Sequence, residues 1–241
     1  MKKLVWGLVV ACLLASGGVS ATPITPTYDS FGALPAATFG GSGIPNDAVA
    51  ISTWTDGTVT ITLGLTATER YANPPVTDDG AGTYTALAGS DGGNAMWNFD
   101  YYIDIVGGQF DDFQFELLYD FDPAAGADSA DLGVLDFNAA IVAAFGAGAL
   151  SAVSNLQGSE NLAFGYLDTP SAFINDPTYG PFSPTAYGEY SFALNVYDGA
   201  TLLDTVAINV NTVPVPEPAT MTMLGMGLGA FALTRMRKRR G

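Results

Sequence analysis

The 241-residue chain has no histidine and a single cysteine, Cys12. Without histidine there is no imidazole base for a serine relay and no imidazole to bind a metal. One cysteine cannot close an internal disulfide. Basic residues are scarce too: 8 Lys and Arg stand against 24 Asp and Glu, a formal charge of −16. A nucleic-acid binder needs a cationic face for phosphates, so that class is excluded. Charged residues make up 13% of the chain, about half the usual share. The acid content is ordinary, and the deficit lies in the bases.

The few bases occupy telling places. Lys2 and Lys3 open the chain, and Arg235, Arg237, Lys238, Arg239 and Arg240 close it; Arg70 is the one base between them. All 24 acids fall between Asp29 and Glu217, so the segment between the basic ends carries a net −23. Cationic ends stay cytoplasmic while the chain between them is exported.

Residues 1–21 read as a cleaved signal peptide. Lys2 and Lys3 precede an apolar run over 4–14, and Val19-Ser20-Ala21 offers small residues before Thr22. An uncleaved anchor is the alternative, although the run is short for a span of about 20 residues. Val9-Val10-Ala11-Cys12 also resembles a lipobox, but apolar residues continue past Cys12. Cleavage after Ala21 removes the only thiol, so the exported domain, 22–212, must be held by its core. Its roughly 190 residues suffice for that.

Residues 213–241 form a tripartite tail. Val213-Pro214-Val215-Pro216-Glu217-Pro218 lacks amide donors at its prolines and reads as an extended, exposed segment. The 16 uncharged residues 219–234 follow; as a helix they span about 24 Å, short of the roughly 30 Å hydrocarbon core. Arg235 is placed to snorkel and make up the difference. The terminal basic cluster is a stop-transfer signal. The alternatives are a plain C-terminal membrane anchor and, for Gly225-Met226-Gly227-Leu228-Gly229, a small-residue helix contact.

This tail resembles the PEP-CTERM sorting signal of Gram-negative bacteria, on the strength of Pro216-Glu217-Pro218, the short span and the basic cluster. The resemblance implies Sec export, recognition by a membrane exosortase, and processing near the motif. It also implies a place at the cell surface or in the extracellular matrix, with a link to exopolysaccharide and biofilm. It makes Pro216, Glu217 and Pro218 sorting residues.

The exported domain is expected to be all-β, an antiparallel sandwich or jelly-roll-like fold. Trp97, Phe99, Tyr101, Ile103 and Ile105 alternate with Asn98, Asp100, Tyr102 and Asp104. Phe113, Phe115, Leu117, Tyr119 and Phe121 alternate similarly, as do Val59, Ile61, Leu63 and Leu65. Period two marks half-buried strands with one wet face. Gly107-Gly108 reads as the turn between the first two runs. Tyr190, Phe192, Leu194 and Val196 lead through Asp198-Gly199 to Val206, Ile208 and Val210, a hairpin. The Ala-rich 138–150 reads as a short helix capped by Asn138 and weakened by Gly146 and Gly148.

A domain at −23 repels itself. One-signed solubility, halophilic adaptation and calcium are the three explanations; an ordinary acid content counts against the second. The calcium candidates are Asp120, Asp122, Asp128 and Asp131, a 12-residue acidic loop that departs from the EF-hand at Pro123 and Ala124. Asp111-Asp112 is a weaker candidate. No cofactor is required by any motif. Catalysis would have to use carboxylates, Ser, Tyr or the single Arg70, and with no GxSxG elbow and no histidine a Ser triad is absent. Asp100 and Asp104 lie near 14 Å apart on one strand, too far for glycoside hydrolysis, leaving a cross-strand pair such as Asp104 and Glu116. A non-enzyme is expected. Carbohydrate binding through exposed aromatics is the functional alternative. Trp54, Trp97, Tyr101, Tyr102 and Tyr119 are the rings to consider, and Trp97, Tyr101 and Tyr119 fall on the core phase. Tyr102 falls on the polar phase and is the expected sugar contact.

Overall fold

The protein is described here from a computed structural model covering residues 23–216. The expected signal peptide, Glu217, Pro218, the apolar span and the terminal basic cluster lie outside the described residues. Among the described residues, no helix is long and apolar enough to cross a membrane.

The first strands are β1 (Ser30–Gly32), β2 (Val49–Thr55), β3 (Thr60–Glu69), β4 (Thr77–Asp78) and β5 (Thr83–Leu87). Next come β6 (Ser90–Asp91), β7 (Asn94–Ala95), β8 (Trp97–Val106), β9 (Gln114–Tyr119) and β10 (Gly133–Asp136). The helix α1 (Phe137–Phe145) precedes β11 (Asn155–Glu160), β12 (Ile174–Asn175), β13 (Gly188–Asp198) and β14 (Thr201–Val213). One sheet has the order β1-β2-β3-β8-β11 and the other β12-β10-β9-β13-β14-β5-β4, with β6-β7 a small separate hairpin.

The apolar phase of each long strand turns inward, as its alternation requires. Ile61, Leu63 and Leu65 of β3 share one core with Trp97, Phe99 and Ile103 of β8. Phe115 and Leu117 of β9, Phe192 and Leu194 of β13, and Val206 and Ile208 of β14 meet them from the other sheet. Phe99 stacks on Phe192 across the gap at 4.7 Å between ring centroids. Such a pair is worth about 0.5–1.5 kcal/mol beyond its buried area. The two sheets therefore form one sandwich.

The β13–β14 hairpin turns at Gly199, as its sequence indicated. Two other features depart from expectation. Gly107-Gly108 does not join β8 to β9 in a hairpin: β8 belongs to the five-stranded sheet and β9 to the seven-stranded one, so the chain crosses between layers there. The pairing is also not purely antiparallel, because β5 runs parallel to β14 with Thr83 opposite Asn209.

The helix starts one residue earlier than the composition suggested, and its cap is Asp136, whose side chain accepts from the Ala139 amide. Asn138 instead turns inward. Its Oδ1 accepts from the Phe115 amide at 3.0 Å, and its Nδ2 donates to the Phe110 and Phe113 carbonyls at 2.7 Å. Gly146, at φ 86°, ends the helix, and a 3-10 turn over Ala147–Ala152 leads back toward β11.

Candidate functional site

The expected wet face of β8 is largely dry. Tyr102 is 4% exposed and packs with Ala37, Phe39 and Val49, beneath Leu34, Ile44 and Ile51. The polar phase of β8 faces out of the sandwich, but the loop between β1 and β2 folds over it. This corrects the assignment of Tyr102 as a sugar contact: a ring sealed under a loop offers no platform. Trp97, Tyr101 and Tyr119 are buried core residues, and Trp54 is half-buried edge-on to Phe113.

Asp100, on the same face as Tyr102, is fully buried. The Thr68 hydroxyl donates to its Oδ2 at 2.7 Å, while Oδ1 has no partner. Desolvation raises its carboxyl to about 7, and Glu160 and Glu69 add to the rise. Asp104 and Glu116 sit in different sheets: Asp104 lies opposite Thr62 and Asn155, and Glu116 opposite Asp136 and Asn195. They are not a cross-strand pair. Asp136 is engaged as the helix cap, and burial, then Asp136, raise the Glu116 carboxyl.

The acidic loop fares differently. Asp120, Asp122, Asp128 and Asp131 all line one cavity of about 190 Å³, with Thr178 and Tyr179. Each carboxylate already accepts one bond: Asp120 from the Asp122 amide, Asp122 from Ala124, Asp128 from Ala130, and Asp131 from the Thr178 hydroxyl. The second oxygen of Asp120, Oδ2, is buried without a hydrogen-bond partner. Desolvation raises the Asp120 carboxyl to about 7. Among the described residues no group of three or more Asp, Glu or Cys is arranged to hold a metal ion. Asp111 and Asp112 lie in a 3-10 turn, where Asp112 accepts from the Gln109 amide and caps the turn. A larger cavity, about 320 Å³, is lined by Asp47, Glu69, Asp78 and Tyr84.

A further cleft, of about 210 Å³, was not legible in the sequence. Tyr101 from β8, Leu135 from β10, Phe137 and Phe145 from α1, Glu160 from β11, and Tyr166 line it. Tyr101 packs on Phe137 at 4.6 Å. The Tyr101 hydroxyl lies over Gly158 of β11, where a Cβ would meet it at 2.7 Å, so glycine makes room for the ring. The Tyr166 hydroxyl donates to Glu160 Oε2 at 2.6 Å. Burial raises the Glu160 carboxyl, and the Tyr166 bond offsets part of the rise.

The folded domain hands over to the tail without a linker. β14 ends at Val213, and Pro214, Val215 and Pro216 are exposed. A family model for the PEP-CTERM protein-sorting motif matches residues 214–240, so the match begins at the first residue beyond the last strand. No curated protein matches the chain. The motif supports exosortase-dependent sorting of an exported protein.

Proposed function

We propose that this protein is a non-enzymatic surface or extracellular-matrix protein of the exopolysaccharide and biofilm environment, delivered there by its C-terminal tail. The observation that carries the reading is the join at Val213–Pro214. The last strand of the sandwich ends where the matched motif starts, and Pro214, Val215 and Pro216 just beyond it are exposed and lie outside any helix or strand. A processing enzyme in the membrane meets an accessible strand end there, not a packed element. Sec export delivers the acidic domain, the apolar span pauses in the bilayer, and exosortase acts near Pro216-Glu217-Pro218. Replacing Glu217 and Pro218 by alanine tests this. The variant should accumulate at the inner membrane at unprocessed mass; normal delivery of the variant contradicts the reading.

We also propose that the cavity of Asp120, Asp122, Asp128 and Asp131 takes up Ca²⁺. The buried, unpartnered Oδ2 of Asp120 supports it, since a desolvated carboxylate among three others is relieved by a cation. The melting temperature in Ca²⁺ against matched NaCl tests it.

A further inference from the structure

Residues 137–159 carry no charge at all, on an otherwise strongly acidic body. Within that stretch α1 buries Phe137 and Ile141, and it turns Val142 and Phe145 to solvent. Phe145 is 79% exposed and Tyr166 39%. Single exposed apolar residues are ordinary, but these two belong to one concave, aromatic-lined cleft.

The polar groups of the cleft narrow what fits it. Glu160 is its only charged side chain, and its carboxylate is an acceptor. The Tyr166 hydroxyl is already committed to Glu160. A ligand that donates a hydrogen bond to Glu160, carries no negative charge and presents a flat apolar face to the rings therefore fits the cleft. At about 210 Å³ the cleft is smaller than the about 300–1,000 Å³ of drug-sized sites, so it takes one ring-sized unit. A neutral sugar ring has all of these properties: axial C–H groups on one face and hydroxyl donors around the edge.

We infer that this cleft binds a neutral sugar unit of an extracellular polysaccharide, with Phe145 and Tyr166 as stacking rings and Glu160 as hydroxyl acceptor. An acidic sugar is repelled by Glu160 and by the field of the whole domain. The inference rests on the matrix reading only for where such a polymer is met. Its test is a solution measurement, so it fails or stands apart from the sorting.

The experiment titrates the detergent-solubilised full chain with cellohexaose, mannohexaose and a galactan hexamer. Hexagalacturonate is run alongside. At least one neutral oligomer should bind, and hexagalacturonate should not. Phe145→Ala and Glu160→Gln should each weaken binding about three- to tenfold, the scale of one aromatic contact or hydrogen bond. Phe145 is exposed, so its variant keeps the fold. Failure of all three neutral oligomers overturns the inference. So does binding that both variants leave unchanged, or equal binding of the acidic oligomer.

Discussion

Two cavities of nearly equal size, about 210 and 190 Å³, lie at β10 and at the turn just before it. Leu135 of β10 lines the aromatic cleft, and Asp131, two residues before β10, lines the acidic cavity. Their chemistry is opposite. The cleft draws on a stretch of chain without charge and keeps a single carboxylate, held by a tyrosine hydroxyl. The acidic cavity gathers four aspartates from 12 residues with no base among its lining groups. The chain has one base, Arg70, between its cationic ends, so neutralisation at the second site must come from protons or from solution. Charge in this domain is segregated, and the two proposals assign each cavity a different class of ligand.

The most damaging way to break the comparison is to disturb β10 itself. A Cβ at Gly133 would run into the ring of Tyr119, which is fully buried and donates from its hydroxyl to the Leu167 carbonyl at 2.6 Å. Gly133→Ala should cost about 3 kcal/mol, the upper end for overpacking, and perturb both cavities together. Chemical denaturation of the variant checks this; a loss under about 1 kcal/mol would mean the strand yields easily.

Next in size is a pH effect centred on Asp100, which faces Thr68 and Ser159 and lies within the fields of Glu160 and Glu69. Folded, its carboxyl keeps a proton up to about pH 7; unfolded, only to about 3.9. Between those values the folded chain binds the extra proton, so stability falls as pH rises, by at most about 1.4 kcal/mol per unit. Above about pH 7 the loss is complete. Melting curves should shift downward from pH 5 to 7, and Asp100→Asn should flatten that slope. Asp120, raised to about the same value, adds a second component of the same sign, so an unchanged slope in the variant would assign the effect to Asp120 and not to Asp100.

Calcium sharpens the contrast between the cavities. Ca²⁺ should raise the melting temperature about 2–4 °C beyond matched NaCl, as about 1 kcal/mol does in a domain of this size. Asp120→Asn should remove the excess, and Glu160→Gln should not. Equal shifts in both salts would leave screening alone. The smallest expected change is in the stability of Phe145→Ala, within about 0.5 kcal/mol, since its ring is exposed. A larger loss in thermal melts would make Phe145 part of the core and not of a surface cleft.

What was legible in the sequence follows the range of the interactions involved. Inward phases such as Phe99–Ile103 and Phe192–Val196 are set by alternation within one strand, and the fold places them as read. The four aspartates were legible because they fall within one short loop. Tyr102 was misread because its cover, Ala37 and Phe39, comes from more than 60 residues away. The aromatic cleft is harder still: Tyr101, Phe145 and the local pair Glu160 and Tyr166 come from three separate segments, and only folding brings them together. Its one local trace was an uncharged helix whose apolar residues exceed what a single core-facing stripe holds. The parallel pairing of β5 with β14 likewise joins residues 126 positions apart, as with Thr83 and Asn209.

The central claim concerns the tail, and intact-mass analysis of fractionated cells tests it most directly. The account predicts that protein recovered from the surface or the medium lacks the leader 1–21 and is trimmed near Pro216-Glu217-Pro218. Full-length protein in the cytosol, with both ends intact, would contradict it.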